Sequence, residues 1–341
     1  MDPSEESNDL LPLSIARHLV CTVLSLSFIV GIPGNSFVIW TICGRMAQRP
    51  PTVMLILHLA IADLLVLVTL PIWIYSFANT WLFGLVACKA LTFVVYFSMY
   101  ASIFLIMALS FERFMAVFYP FAVQCWKKKM TTRMLVFAIW FLAIAFGAVI
   151  IPFRETNNTE AGLQCADFSY DSNAQMIACL LLETLVGFVV PFAFISICYV
   201  LVGRRIRNMT SPSKQRSAKL IASIVVAFCL CWLPHHIFNL ISIASALMEE
   251  SYPGTSEALE KISAVGANIT GSLVFVSSCI NPLLYAFAAR NFQSSVRFTR
   301  LSRLFEQMSP SERTETQETV GRFEVVAPWR NIDPGQGDVW G

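Results

Sequence analysis

Seven stretches of the chain are apolar at almost every position, and polar residues crowd between them. Four carry no charge at all: Leu19–Gly44, Ala90–Phe111, Met134–Phe153 and Ile262–Ala289. Three more hold a single acid or a pair of histidines: Thr52–Asn79 with Asp63, Ala174–Gly203 with Glu183, and Leu220–Met248 with His235 and His236. A helix rising about 1.5 Å per residue needs roughly 20 residues to cross about 30 Å of hydrocarbon, and every stretch reaches that length. One such stretch could be a core helix of a large soluble protein. Seven predict an all-α membrane protein, a seven-transmembrane helix bundle over residues 16–289, behind an N-terminal tail of residues 1–15.

Beyond the last stretch the pattern changes. In "NFQSSVRFTRLSRLF", Phe292, Val296, Phe298, Leu301 and Phe305 fall largely opposite Arg297, Arg300 and Arg303. That predicts a C-terminal amphipathic surface helix over residues 290–305, lying on the membrane rather than crossing it. Residues 306–341 are polar, with Ser309, Ser311, Thr314, Thr316 and Thr319 among acids, and are expected to form a disordered tail.

Only 13% of the 341 residues are charged, against about 25% for a soluble domain. Basic residues crowd cytoplasmic loops. With the N-terminus extracellular, the cytoplasmic segments hold 20 of the 24 Lys and Arg, and only Arg17, Lys89, Arg154 and Lys261 lie outside. Twelve of the 22 acids lie outside. The net charge of +2 therefore hides a transverse asymmetry, and nothing in it suggests nucleic acid as a partner. No basic region precedes the first apolar run, so a cleaved signal peptide is not expected.

Of the ten cysteines, only Cys88 and Cys165 fall in outside loops, where thiols oxidise. Their pairing is predicted, against the alternative of two free thiols. Asn157, in "NNT", is a glycosylation acceptor in the same outside loop.

An acid at the centre of a spanning helix costs about 2.5–3.5 kcal/mol on insertion scales, so such groups face the bundle interior and mark function. Asp63 and Glu183 are therefore candidate site residues; the alternative is a protonated acid bonded to a neighbouring helix. Phe228, Trp232, His235 and Asn239 recur at spacings of four, three and four and share one face of the sixth stretch, which Pro234 bends. Such a stripe is often plain core, but its polar end points to a ligand cavity. His235 and His236 lie about 100° apart on a helix and make a poor metal pair. No Ser/His/Asp, Cys/His or metal arrangement points to an enzyme.

These residues together resemble the rhodopsin-like (class A) G-protein-coupled receptors. "GNSFVIW" gives Asn35, "LAIADL" gives Asp63, "ERF" gives Glu112 and Arg113, and Pro191 and Tyr199 mark the fifth stretch. "FCLCWLP" gives Trp232 and Pro234, and "NPLLY" gives Asn281, Pro282 and Tyr285. The resemblance implies a multi-pass plasma-membrane receptor that activates heterotrimeric G proteins, with arrestin and receptor kinases acting on its tail. It implies a switch of Glu112, Arg113, Tyr199, Asn281, Pro282 and Tyr285, with Glu112 holding Arg113 through a charge-assisted hydrogen bond at rest. It also implies a pocket for an allosteric sodium ion at Asp63, Asn35, Ser102, Ser278 and Asn281, and no other cofactor. Phe114 replaces the usual tyrosine, and Lys214 stands where many relatives carry an acid that locks the sixth helix to the arginine.

Within that family, "GIPGNSFVIW", "SMYASIFLIMALS", "ETLVGFVVPF", "WLPHHIFNL" and "VSSCINPLLYAFA" are similar to leukotriene B4 receptors. This likeness implies a lipid-mediator ligand held by Arg154, Glu183, His235, His236, Asn239 and Trp232, with Gi-type signalling in chemotaxis and inflammation. Thr92, Met176 and Ala267 stand where that group would carry basic residues. A different lipid, a peptide chemoattractant, a non-signalling scavenger receptor and a transporter are the competing readings. Against the last, no half-to-half repeat is visible.

Overall fold

The structure, a computed structural model, describes residues 3–46, 49–119, 129–159, 162–165, 168–206 and 212–289. The surface helix expected at 290–305 and the tail at 306–341 lie outside the described residues, as do the side chains of Lys214 and Tyr285. The described residues form seven spans long and apolar enough to cross a membrane. The first is α1 (Pro3–Arg45), and the second is α2 (Pro51–Leu67) continued by α3 (Leu70–Ala78). The third and fourth are α4 (Gly84–Phe118) and α5 (Lys129–Ala148). The fifth joins α6 (Asn173–Thr184) to α7 (Val190–Ile206), and the sixth and seventh are α8 (Pro212–Met248) and α9 (Pro253–Ala289). Helix α1 begins at Pro3, well ahead of the apolar run at Leu19; proline suits a first turn, whose N–H groups lack intrahelical partners.

Proline places the irregularities. Pro71 has no N–H for the Leu67 carbonyl, and α2 gives way to α3 across Val68 and Thr69. Thr69 bridges the break by donating its hydroxyl to the Val66 carbonyl at 2.7 Å. Ahead of Pro191 the fifth span widens into a π turn, Leu185–Val189. Pro282 likewise leaves the Ser278 carbonyl without its helical donor, and Asn35 of the first span supplies one at 3.0 Å. A helix defect thus becomes an interhelical bond.

The spans close into a ring: first against second and seventh, sixth against fifth and seventh, third against fourth. The third also touches the second, fifth and sixth, so it runs through the middle. Lipid tails give no hydrophobic drive between helices, so close backbone approach matters. A Cβ on Gly147 would stand 2.9 Å from the Phe97 backbone nitrogen, and one on Gly34 would stand 2.9 Å from Pro282 Cβ. Glycine at these sites lets the fourth span reach the third and the first reach the seventh.

At one end of the bundle, β1 (Asn157–Thr159) and β2 (Gly162–Gln164) pair antiparallel, Asn157 opposite Gln164. The hairpin is held twice. Trp81, in the loop between the second and third spans, is 1% exposed, and its backbone N–H donates to the Leu163 carbonyl at 2.7 Å. The predicted disulfide joins Cys88, at the start of the third span, to Cys165 just after β2.

Candidate functional site

Beneath that hairpin lies a cavity of about 370 Å³ between the first, second, third, fifth, sixth and seventh spans. It falls within the 300–1,000 Å³ usual for small-molecule sites. Most of its lining is apolar, including Val20, Leu24, Phe77, Val95, Met99 and Phe275. Arg154, Glu183, Trp232 and His235, four of the six predicted ligand residues, line it. Arg154 follows the short 3-10 turn Ile151–Phe153 and is 8% exposed. Its guanidinium lies over the Phe168 ring at 4.5 Å, and Nη2 donates to the Cys165 carbonyl. The disulfide loop therefore places the cation as well as covering the cavity. Tyr170 stacks between Phe153 and Phe168; burial raises its phenol above the ordinary value, which leaves it a neutral donor.

Glu183 is the polar centre of the opposite wall. Its Oε1 accepts from His235 Nε2 at 2.7 Å and Asn239 Nδ2 at 3.2 Å, and Oε2 accepts from the Tyr96 hydroxyl at 3.3 Å. With Glu183 ionised, its carboxylate accepts only, and the bond from His235 then needs its proton on Nε2. The fifth span thus clasps the third and the sixth through one side chain. Asn239 and His236 do not line the cavity as the resemblance implies. Asn239 stands behind Glu183, and His236, 2% exposed, stacks on Phe188 with ring centroids 5.0 Å apart. The sequence reading missed Tyr96, although Thr92, Tyr96 and Met99 recur at helical spacing and could have been read as one face. Of the three positions expected to be basic, Thr92 and Ala267 line the cavity and Met176 does not.

Below Trp232, whose indole N–H donates to Ser277 at 3.3 Å, lies the cluster around Asp63. Asp63 is buried and accepts from the Ser102 hydroxyl at 3.1 Å and from Asn281 Nδ2 at 2.8 Å. Asn35 does not bond Asp63; its Nδ2 donates to the Gly31 and Ser278 carbonyls at 3.1 and 3.0 Å. Its Oδ1 is buried without a hydrogen-bond partner. One carboxylate, hydroxyls and an uncommitted amide oxygen fit a small hard cation. Ser102, Ser278 and Ser98 also line a space of about 10 Å³, close to the smallest that holds one water.

At the far end of the third span, Arg113 Nε stands 3.2 Å from Glu112 Oε2. The two side chains form an ion pair. Arg113 Nη2 also donates to Thr52 Oγ1 of the second span at 2.7 Å. Thr52 was not anticipated, because nothing in its spacing sets it apart. Tyr199 packs half-buried against the core at this end, with Ser110, Arg113 and Glu112 in electrostatic reach of its hydroxyl. Asn157 is exposed on β1, as glycosylation requires.

Seven spans, a disulfide lid, a cavity beneath it and a half-buried arginine at the opposite end define a class of membrane receptor. The family described as 7 transmembrane receptor (rhodopsin family) matches residues 34–285, and the chain belongs to it. It is 33% identical to human leukotriene B4 receptor 1 over 94% of this chain and 91% of that protein. Mouse leukotriene B4 receptor 2 is 33% identical over 92% of this chain and 90% of its own length. The C3a anaphylatoxin chemotactic receptor of zebrafish (Danio rerio) is 31% identical over 92% and 83%. The chain is thus a class A G-protein-coupled receptor, a multi-pass membrane protein related to chemoattractant receptors.

Proposed function

We propose that the protein binds an extracellular lipid mediator, leukotriene B4 or a related hydroxylated fatty acid, and activates Gi-type heterotrimeric G proteins in chemotactic signalling. The N-terminus and the disulfide end face outward, and Arg113 faces the G protein. The observation that carries the reading is the cavity itself: largely apolar, with a buried guanidinium on the lid side and a carboxylate–imidazole pair on another wall. Arg154 has a planar fork that holds a carboxylate bidentately. Glu183 would repel that head group, and three of its roughly four acceptor positions are already taken. A ligand hydroxyl therefore takes the last position or displaces Tyr96 or His235. Sodium at Asp63 favours the resting arrangement by binding it better, and the phosphorylatable tail recruits arrestin after receptor kinases act.

Binding of a fatty acid and its methyl ester to Arg154→Ala, in membranes, tests the head-group assignment. Bonds to charged groups are worth about 1.5–3 kcal/mol, so the acid should lose roughly ten-fold or more and the ester much less. Because Arg154 also holds the Cys165 loop, some loss is expected for the ester too; equal losses for acid and ester would overturn an acidic head group at Arg154. A lipid panel read by G-protein dissociation identifies the ligand.

A further inference from the structure

The loop between the second and third spans, together with the first turn of the third, is built like a membrane surface rather than a water-facing connection. Residues 64–88 hold no charged side chain. Within them Leu82 is 68% exposed, Phe83 45%, Leu85 38% and Val86 83%. Trp81 alone turns inward, packing 6.0 Å from Trp73 and holding the hairpin. Gly84, at φ +76°, makes the turn that starts the third span and leaves these four side chains outside.

This patch is continuous with the lipid-facing surface of the second span. Leu65, Val68 and Tyr75 are exposed along that helix at spacings of three and seven, one face of the spanning bundle. Phe83 meets the last of them, its ring edge-to-face with Tyr75 at 5.9 Å. Aromatic residues collect at the level of the lipid head groups, and a small apolar group on an amphipathic element lodges at the head-group and acyl boundary.

We propose that the Leu82–Val86 segment is seated in the bilayer leaflet at the disulfide end, with the lipid interface as its partner. Trp81 precedes this segment and Cys88 follows it one helical turn into the third span, so the lid over the cavity is tied to the membrane through it. The proposal does not depend on which ligand the cavity takes.

The test uses the full chain in nanodiscs, with a fluorescent amino acid placed at Val86 and, separately, at Glu257, whose side chain is 67% exposed. Bromine on the upper acyl carbons should quench the probe at Val86 several-fold more than aqueous iodide does, and the order should reverse at Glu257. Iodide quenching at Val86 equal to that at Glu257 would overturn the proposal. So would protection from both quenchers together with energy transfer between labelled copies, since the occupant would then be a second copy of the chain. Val86→Lys, with binding measured to confirm folding, gives a second readout. It should loosen the lid, seen as faster proteolysis within residues 155–170; unchanged cleavage would show that the lid is not tethered this way.

Discussion

Glu183 shows how one buried charge is accommodated. A lone carboxylate inside the membrane would protonate or find partners; here three donors from two other spans surround it. Removing one side of a buried pair leaves the other charge uncompensated, at about 3–5 kcal/mol. His235→Phe keeps the ring volume and the bond from Asn239 but releases the sixth span's closest contact with the fifth. Basal nucleotide exchange on reconstituted G protein should rise several-fold, because the sixth span loses a restraint toward the fifth. Exchange at the wild-type level would show that the clasp only shapes the cavity. Asp63 follows the same logic lower in the bundle, but its partners there are neutral.

Helices in this bundle meet where side chains are smallest. The fourth span reaches the second through Trp140, whose indole N–H donates to His58 at 3.1 Å. Its fit rests on Gly147 lying over the backbone at Phe97. Gly147→Ala forces that backbone apart, and overpacking of this kind costs about 1–3 kcal/mol. Gly44→Ala, where the nearest atom to an added Cβ is 3.9 Å away, should be neutral or gain helix propensity. Thermal unfolding of the two purified variants makes the comparison: a lowered midpoint is expected for Gly147→Ala alone. Equal midpoints would remove the third–fourth contact from the account.

Across the whole molecule the third span links two ends. Thr92 lines the cavity and Arg113 closes the opposite end, 21 residues or about 30 Å along the helix. Between them Tyr96 reaches Glu183 and Ser102 reaches Asp63. One helix therefore touches the cavity, the buried acid and, through Arg113, the second span at the opposite end. Arg113→Ala should leave ligand affinity within about two-fold, since 30 Å of helix separates the sites, while nucleotide exchange is lost. Ligand binding and exchange measured on the same preparation decide this. A large fall in affinity without G protein would mean that Arg113 holds the bundle together rather than meeting a partner.

The seven spans, the pairing of Cys88 with Cys165 and the burial of Asp63 and Glu183 inside the bundle were legible in the sequence. Each rests on a property one segment carries by itself: absence of charge over a membrane's width, a cysteine on the oxidising side, an acid too costly to face lipid. The partners were not legible. Tyr96 on Glu183, Thr52 on Arg113, Asn35 on the carbonyl freed by Pro282, and Phe168 under Arg154 come from separate elements. Helical spacing says which residues share a face, but the rotation and approach of neighbouring helices decide which faces meet within 3 Å. That is why His236 and Asn239, neighbours of His235 in sequence, stand behind the cavity wall while His235 lines it.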